Sequence, residues 1–137
     1  MIHSGSIAFL GVFSPDGTHF LEIQSSGAYV QQPITFTPGS TNVLTLSAAS
    51  RYDGIAALTV YEGATSLTVV QPLRSTSMAM YAMWFVADAS SNRVSFTNTC
   101  GYGCSSMVFV DAETLQQGKG MLKHTFLLFC DYFLIFF

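Results

Sequence analysis

The sequence predicts an all-β fold, an antiparallel sandwich or barrel, from three observations. Short segments alternate apolar and polar residues, turn signals separate them at regular intervals, and no stretch sustains a helical period. The first clear strand is HFLEIQ, from His19, which puts Leu21 and Ile23 on one face and Glu22 and Gln24 on the other. YVQQPITF follows with Val30, Gln32, Ile34 and Phe36 on one face, and stops at Pro38-Gly39. Pro33 cannot donate to a ladder, so this strand belongs at a sheet edge or a bulge. NVLTLSA pairs Leu44 with Leu46, and ALTVYEG pairs Leu58 with Val60 before a Glu-Gly turn. SLTVVQ comes next at hairpin distance. In MAMYAMWFV, Tyr81, Met83 and Phe85 share one face; Met80, Ala82, Trp84 and Val86 share the other. RVSFTN pairs Val94 with Phe96, and MVFVDAETL reads as the last regular strand.

Composition narrows the function. A chain of 137 residues has room for one modest core. Only 9% of its residues are charged, against roughly a quarter in an ordinary soluble domain. Five lysines and arginines with a net charge of −3 make a poor phosphate-tracking surface, which argues against nucleic acid as a partner. The amino terminus lacks the basic start and the uninterrupted apolar run of a secretory signal. Cys100 and Cys104, in NTCGYGCSS, are either a short-loop disulfide suited to an oxidising compartment or two free thiols. No histidine accompanies them, which disfavours zinc.

The order of the segments resembles a galactose-binding-like jelly roll, the β-sandwich of many carbohydrate-binding modules. The resemblance is carried by PDGTHFLEIQ, YVQQPITFTPGSTNVLTLSAASR, ALTVYEG, TSMAMYAMWFVADASSNRVSFTNT and VFVDAETL. Within these, Asp16-Gly17 leads into a strand, Gln32 precedes the Pro-Gly turn, Ala48-Ala49 precedes Arg51, and Asp111 follows the closing apolar pair. It implies a domain over residues 15–117, after a poorly defined segment 1–14 and before an apolar tail 118–137. Relatives open with additional strands, so the jelly roll is expected to be incomplete at its N-terminus. The resemblance further implies a non-catalytic carbohydrate-binding or adhesion module. It would recognise a polysaccharide or glycoconjugate, in an extracellular or cell-wall setting. A structural calcium ion in relatives lies between an opening Glu and a closing Asp; Asp111 matches the second position, and the first has no match here. The alternatives are a structural or protein-interaction sandwich, and a truncated product without function.

Sugar recognition needs an aromatic ring against a pyranose face, with polar groups for its hydroxyls. The residues of that kind are Trp84, which faces away from the core side of its strand, and Tyr29, Tyr52 and Tyr61, with Arg51 and Asp53. Each has an ordinary reading as packing at a sheet margin. No nucleophile stands in a motif with His3, His19 or His124, and no two carboxylates are marked as an acid/base pair, so catalysis is not expected.

The closing HTFLLFCDYFLIFF, from His124, differs from everything before it. It is shorter than the ~20 apolar residues of a spanning helix and contains Asp131, so membrane contact is expected only as non-specific adhesion. A final core strand is one reading. The other lies in the gene: QGKG can be encoded across a splice-donor sequence, and a thymine-rich intron read through would yield such residues.

Overall fold

A computed structural model describes residues 2–4, 19–51, 56–88, 93–101, 107–118 and 122–125. The described residues form ten strands and no helix, so none is a helix long and apolar enough to cross a membrane. In chain order they are β1 (Ile2–Ser4), β2 (His19–Gln24), β3 (Tyr29–Pro33), β4 (Thr41–Ser50), β5 (Leu58–Glu62), β6 (Thr65–Val70), β7 (Ala79–Val86), β8 (Arg93–Asn98), β9 (Met107–Gln117) and β10 (Leu122–Thr125). They assemble into two antiparallel sheets. One runs β1-β2-β9-β4-β7, with β10 also on β9; the other runs β3-β8-β5-β6. The pair β2-β9-β4-β7 over β3-β8-β5-β6 is the strand order of a jelly roll, in which distant segments become neighbours.

The alternation read from the sequence places the core. Leu21, Ile23, Leu44, Leu46, Val108, Val110 and Leu115 from the first sheet meet Val30, Leu58, Val60, Val94 and Phe96 from the second. On β7, Met83 and Phe85 are buried, Tyr81 packs against the core, and Trp84 stands outside. Phe36 lies beyond the end of β3 yet is buried, edge-on to Phe85 with ring centroids 5.6 Å apart.

A smaller apolar cluster sits on the outer face of the first sheet. Phe20 and Phe109 meet edge to face at 5.6 Å beside Ala49, with Met78 and Met107 packed against them. Outward residues are thus buried here too, which alternation alone does not foresee.

The hairpin β5–β6 turns on Gly63-Ala64, with Glu62 opposite Thr65. Gly63 has φ 57°, where a Cβ would be disfavoured. β3 is an edge strand, as Pro33 requires. The sheet extends beyond residues 15–117 at both ends. Ile2–Ser4 pairs with β2, and Leu122–Thr125 pairs antiparallel with the end of β9, beyond which Gly118 has φ 64°. MVFVDAETL is therefore followed by one more short strand.

Candidate functional site

Strand pairing sorts the residues picked from the sequence onto different surfaces. Tyr29 on β3 pairs with Thr97 on β8, which pairs with Thr59 on β5. One row along, Gln31 pairs with Ser95, which pairs with Tyr61. Val30, Val94, Phe96 and Val60 point into the core, so these alternate residues form the outer face of the second sheet. Tyr29 and Tyr61 are half-buried and stand at opposite sides of a floor made by Gln31, Ser95, Thr97 and Thr59. Two strand spacings across and two residues along put their Cα atoms roughly 12 Å apart. The floor is anchored by the Thr59 and Thr99 hydroxyls, 2.7 Å from one another. Between the two aromatic rings Gln31 and Thr97 are half-buried, so their amide and hydroxyl reach the surface, while Ser95 and Thr59 are buried; the face is a shallow platform for a polar ligand with apolar faces.

Trp84 lies on the other sheet, on its outer face, so no small ligand touches it together with the tyrosines. Its neighbours along β7 are Met80, Ala82 and Val86, and Val43 stands opposite it on β4. The row along β7 is apolar, while on β4 Thr41 and Thr45 flank Val43.

Arg51 follows the end of β4. Its N–H donates to the Met107 carbonyl at 3.1 Å, and Nη1 lies 3.3 Å from the Met107 sulfur, which ties the guanidinium to the start of β9. Tyr52 and Asp53 lie outside the described residues.

Asn98 is the polar residue at this end that the sequence did not mark. It is fully buried at the end of β8. Its Nδ2 donates to the Ile23 carbonyl of the other sheet at 3.1 Å, and its Oδ1 accepts the Cys100 N–H at 3.2 Å. The Cys100 carbonyl in turn accepts from the Ser26 hydroxyl at 2.7 Å. Cys100 is buried and disulfide-bonded, while Cys104 lies outside the described residues.

Asp111 is 98% removed from solvent on β9, paired with Ser47. Glu22, equally buried on the adjacent β2, points to the same side of the sheet and accepts from the Gln24 amide at 2.8 Å. The two carboxylates are diagonal neighbours across β2 and β9, a relation set by a pairing distant in sequence. Their oxygens are hard donors of the kind calcium takes. Among the described residues no group of three or more His, Cys, Asp or Glu converges as a metal site.

Glu62 is a third buried acid: its Oε1 accepts the Asp88 N–H at 3.0 Å, which fastens the β5–β6 hairpin to the segment after β7.

Comparisons with known proteins bear on the fold alone. No protein-family model matches the chain, and no curated protein matches it in sequence. Among solved structures it is similar to the C-terminal CBM6 of LamC, a marine laminarinase from Zobellia galactanivorans. The TM-score is 0.52 at 13% identity, over 72% of this chain and 83% of that one. It is also similar to the K3 cleaved adhesin domain of the Lys-gingipain of Porphyromonas gingivalis w83. There the TM-score is 0.50 at 14% identity, over 77% of this chain and 70% of that one. The chain has a jelly-roll β-sandwich fold, which it shares with these domains.

Proposed function

We propose that the chain is a non-catalytic carbohydrate-binding module whose ligand lies across the outer face of the β3-β8-β5-β6 sheet. The observation that carries this reading is the placement of Tyr29 and Tyr61 at either side of a floor of Gln31, Ser95, Thr97 and Thr59. A pyranose presents C–H faces to aromatic rings and a rim of hydroxyls to amides and alcohols, and this face offers both. Two tyrosines whose Cα atoms stand roughly 12 Å apart suit a chain of sugars better than a single one. The likeness to a CBM6 and an adhesin domain supports the reading at the level of fold. The disulfide at Cys100 supports an oxidising, extracellular setting; its partner in this proposal is Cys104.

Asp111 and Glu22 are the residues that would hold a structural calcium ion, as the oxygens of two adjacent strands. Arg51 follows β4 and is held at the start of β9, away from the tyrosine face. The test is binding of the full chain to a panel of soluble polysaccharides, in the parent and in Tyr29→Ala and Tyr61→Ala. Loss of binding in both folded variants supports the reading; binding unchanged in both removes it.

A second reading, a protein-interaction sandwich, is favoured by the exposed apolar row that Trp84 forms with Met80, Ala82 and Val86 along β7.

A further inference from the structure

We propose that β7 is a self-association strand: its outer edge pairs antiparallel with β7 of a second copy, joining two molecules through one continuous sheet. The starting point is where the exposed apolar surface lies. The large hydrophobic residues exposed among the described residues are Val69 (57%), Leu73 (75%), Met80 (77%), Trp84 (73%) and Val86 (63%). All five fall on β6, β7 or the segment that joins them. Val69 faces outward from the second sheet, opposite Thr59, whereas Met80, Trp84 and Val86 form one stripe on the outer face of β7 in the first sheet, and a stripe of this kind marks an interaction site rather than scattered exposure.

The sheet edges indicate which contact it makes. An edge strand offers a row of N–H and C=O groups to any other strand, and proteins ordinarily blunt such edges. Among the described residues, β1 is only three residues long, and β10 is four and carries Lys123. β3 ends in Pro33, and β6 pairs with β5 through a register shift that disturbs its ladder. β7 has none of these protections. It is eight residues, AMYAMWFV, without a charge, a proline or a glycine, and it pairs with β4 through eight consecutive partners with no irregularity.

Symmetry makes a second copy the fitting occupant. A two-fold axis perpendicular to the sheet pairs β7 with itself and keeps each residue on its own face. With the axis at Ala82, each Trp84 stands opposite the partner's Met80, and the apolar stripe continues into its own image. Because β7 carries no charge, this apposition brings no like charges together at the strand, although each chain has a net charge of −3. The tyrosine platform is on the other sheet and stays open, so the pairing does not depend on the carbohydrate reading.

The test uses the full chain in sedimentation equilibrium between about 1 and 100 µM, with fluorescence of Trp84, the single tryptophan, recorded over the same range. The expected result is a monomer–dimer equilibrium in which Trp84 emission shifts to the blue as dimer forms. Met80→Lys/Ala82→Lys changes two exposed positions; it should stay monomeric at 100 µM with a melting temperature at or above that of the parent monomer. A parent chain monomeric at 100 µM overturns the proposal, as does a dimer that persists unweakened in the variant. A dimer that forms without any change in Trp84 emission overturns it too. Binding of a polysaccharide that quenches Trp84 in a monomeric parent would assign the stripe to a glycan instead.

Discussion

Asn98→Ala should separate the two sheets energetically at the end where β8 leaves its sheet. The wild-type side chain is fully buried, donating to Ile23 O at 3.1 Å and accepting from Cys100 N at 3.2 Å. Alanine leaves that carbonyl and that N–H without the amide, in a site where water enters only by opening the structure. A buried polar group left without its partner costs about 1–3 kcal/mol, so the pair should cost about 2–6 kcal/mol. That is a large share of the ~5–15 kcal/mol that holds a domain together. The assay is urea unfolding followed by far-ultraviolet circular dichroism, comparing midpoints at equal slope. Asn98→Asp keeps the acceptor for Cys100 but replaces the donor facing the Ile23 carbonyl with a buried carboxylate, so at neutral pH it should destabilise at least as much. A loss below about 0.5 kcal/mol in Asn98→Ala would refute the claim that this amide joins the sheets.

The second cluster gives another stability test: Phe109→Ala, which removes a fully buried ring stacked edge-on against Phe20, should cost about 3–5 kcal/mol by the same urea assay. Peptide mapping of the unreduced chain should recover Cys100 linked to Cys104; for a loop that short, reduction should lower stability by about 2 kcal/mol. A Cys100–Cys130 link would contradict the proposed pairing. If Asp111 and Glu22 hold calcium, the melting temperature should rise in millimolar calcium relative to chelator, and Asp111→Asn should abolish that difference.

Much of this architecture is written locally. Period-two alternation puts Met83 and Phe85 inside and Met80, Trp84 and Val86 outside without reference to the rest of the chain. Pro33 announces an edge, and Glu62-Gly63 announces a hairpin, because the missing donor and the positive φ act where they stand. The site was less legible, since its parts meet only through the sheet order. Tyr29 and Tyr61 were both noticed as tyrosines, but they share a face because β8 lies between β3 and β5. Glu22 and Asp111 are neighbours because β2 pairs with β9 across most of the chain. Asn98 looks like any strand-end asparagine in RVSFTNT; only the approach of Ile23 from the other sheet gives it a role. The burial of Phe20 and Phe109 on an outward face likewise escapes alternation, since it depends on Met78 and Met107 packing over them. The strand at Leu122–Thr125 was hidden inside a tail whose composition drew attention from its first turn.

The central claim is that the outer face carrying Tyr29 and Tyr61 binds carbohydrate. Affinity electrophoresis of the full chain through gels containing soluble polysaccharides, run beside Tyr29→Ala/Tyr61→Ala and Trp84→Ala, tests it most directly. The parent and Trp84→Ala should both be retarded by at least one polysaccharide. The double tyrosine variant should bind roughly 5- to 150-fold more weakly, each ring contributing about 0.5–1.5 kcal/mol. Retardation of the folded double variant equal to that of the parent, or none of the parent in any polysaccharide, would contradict it.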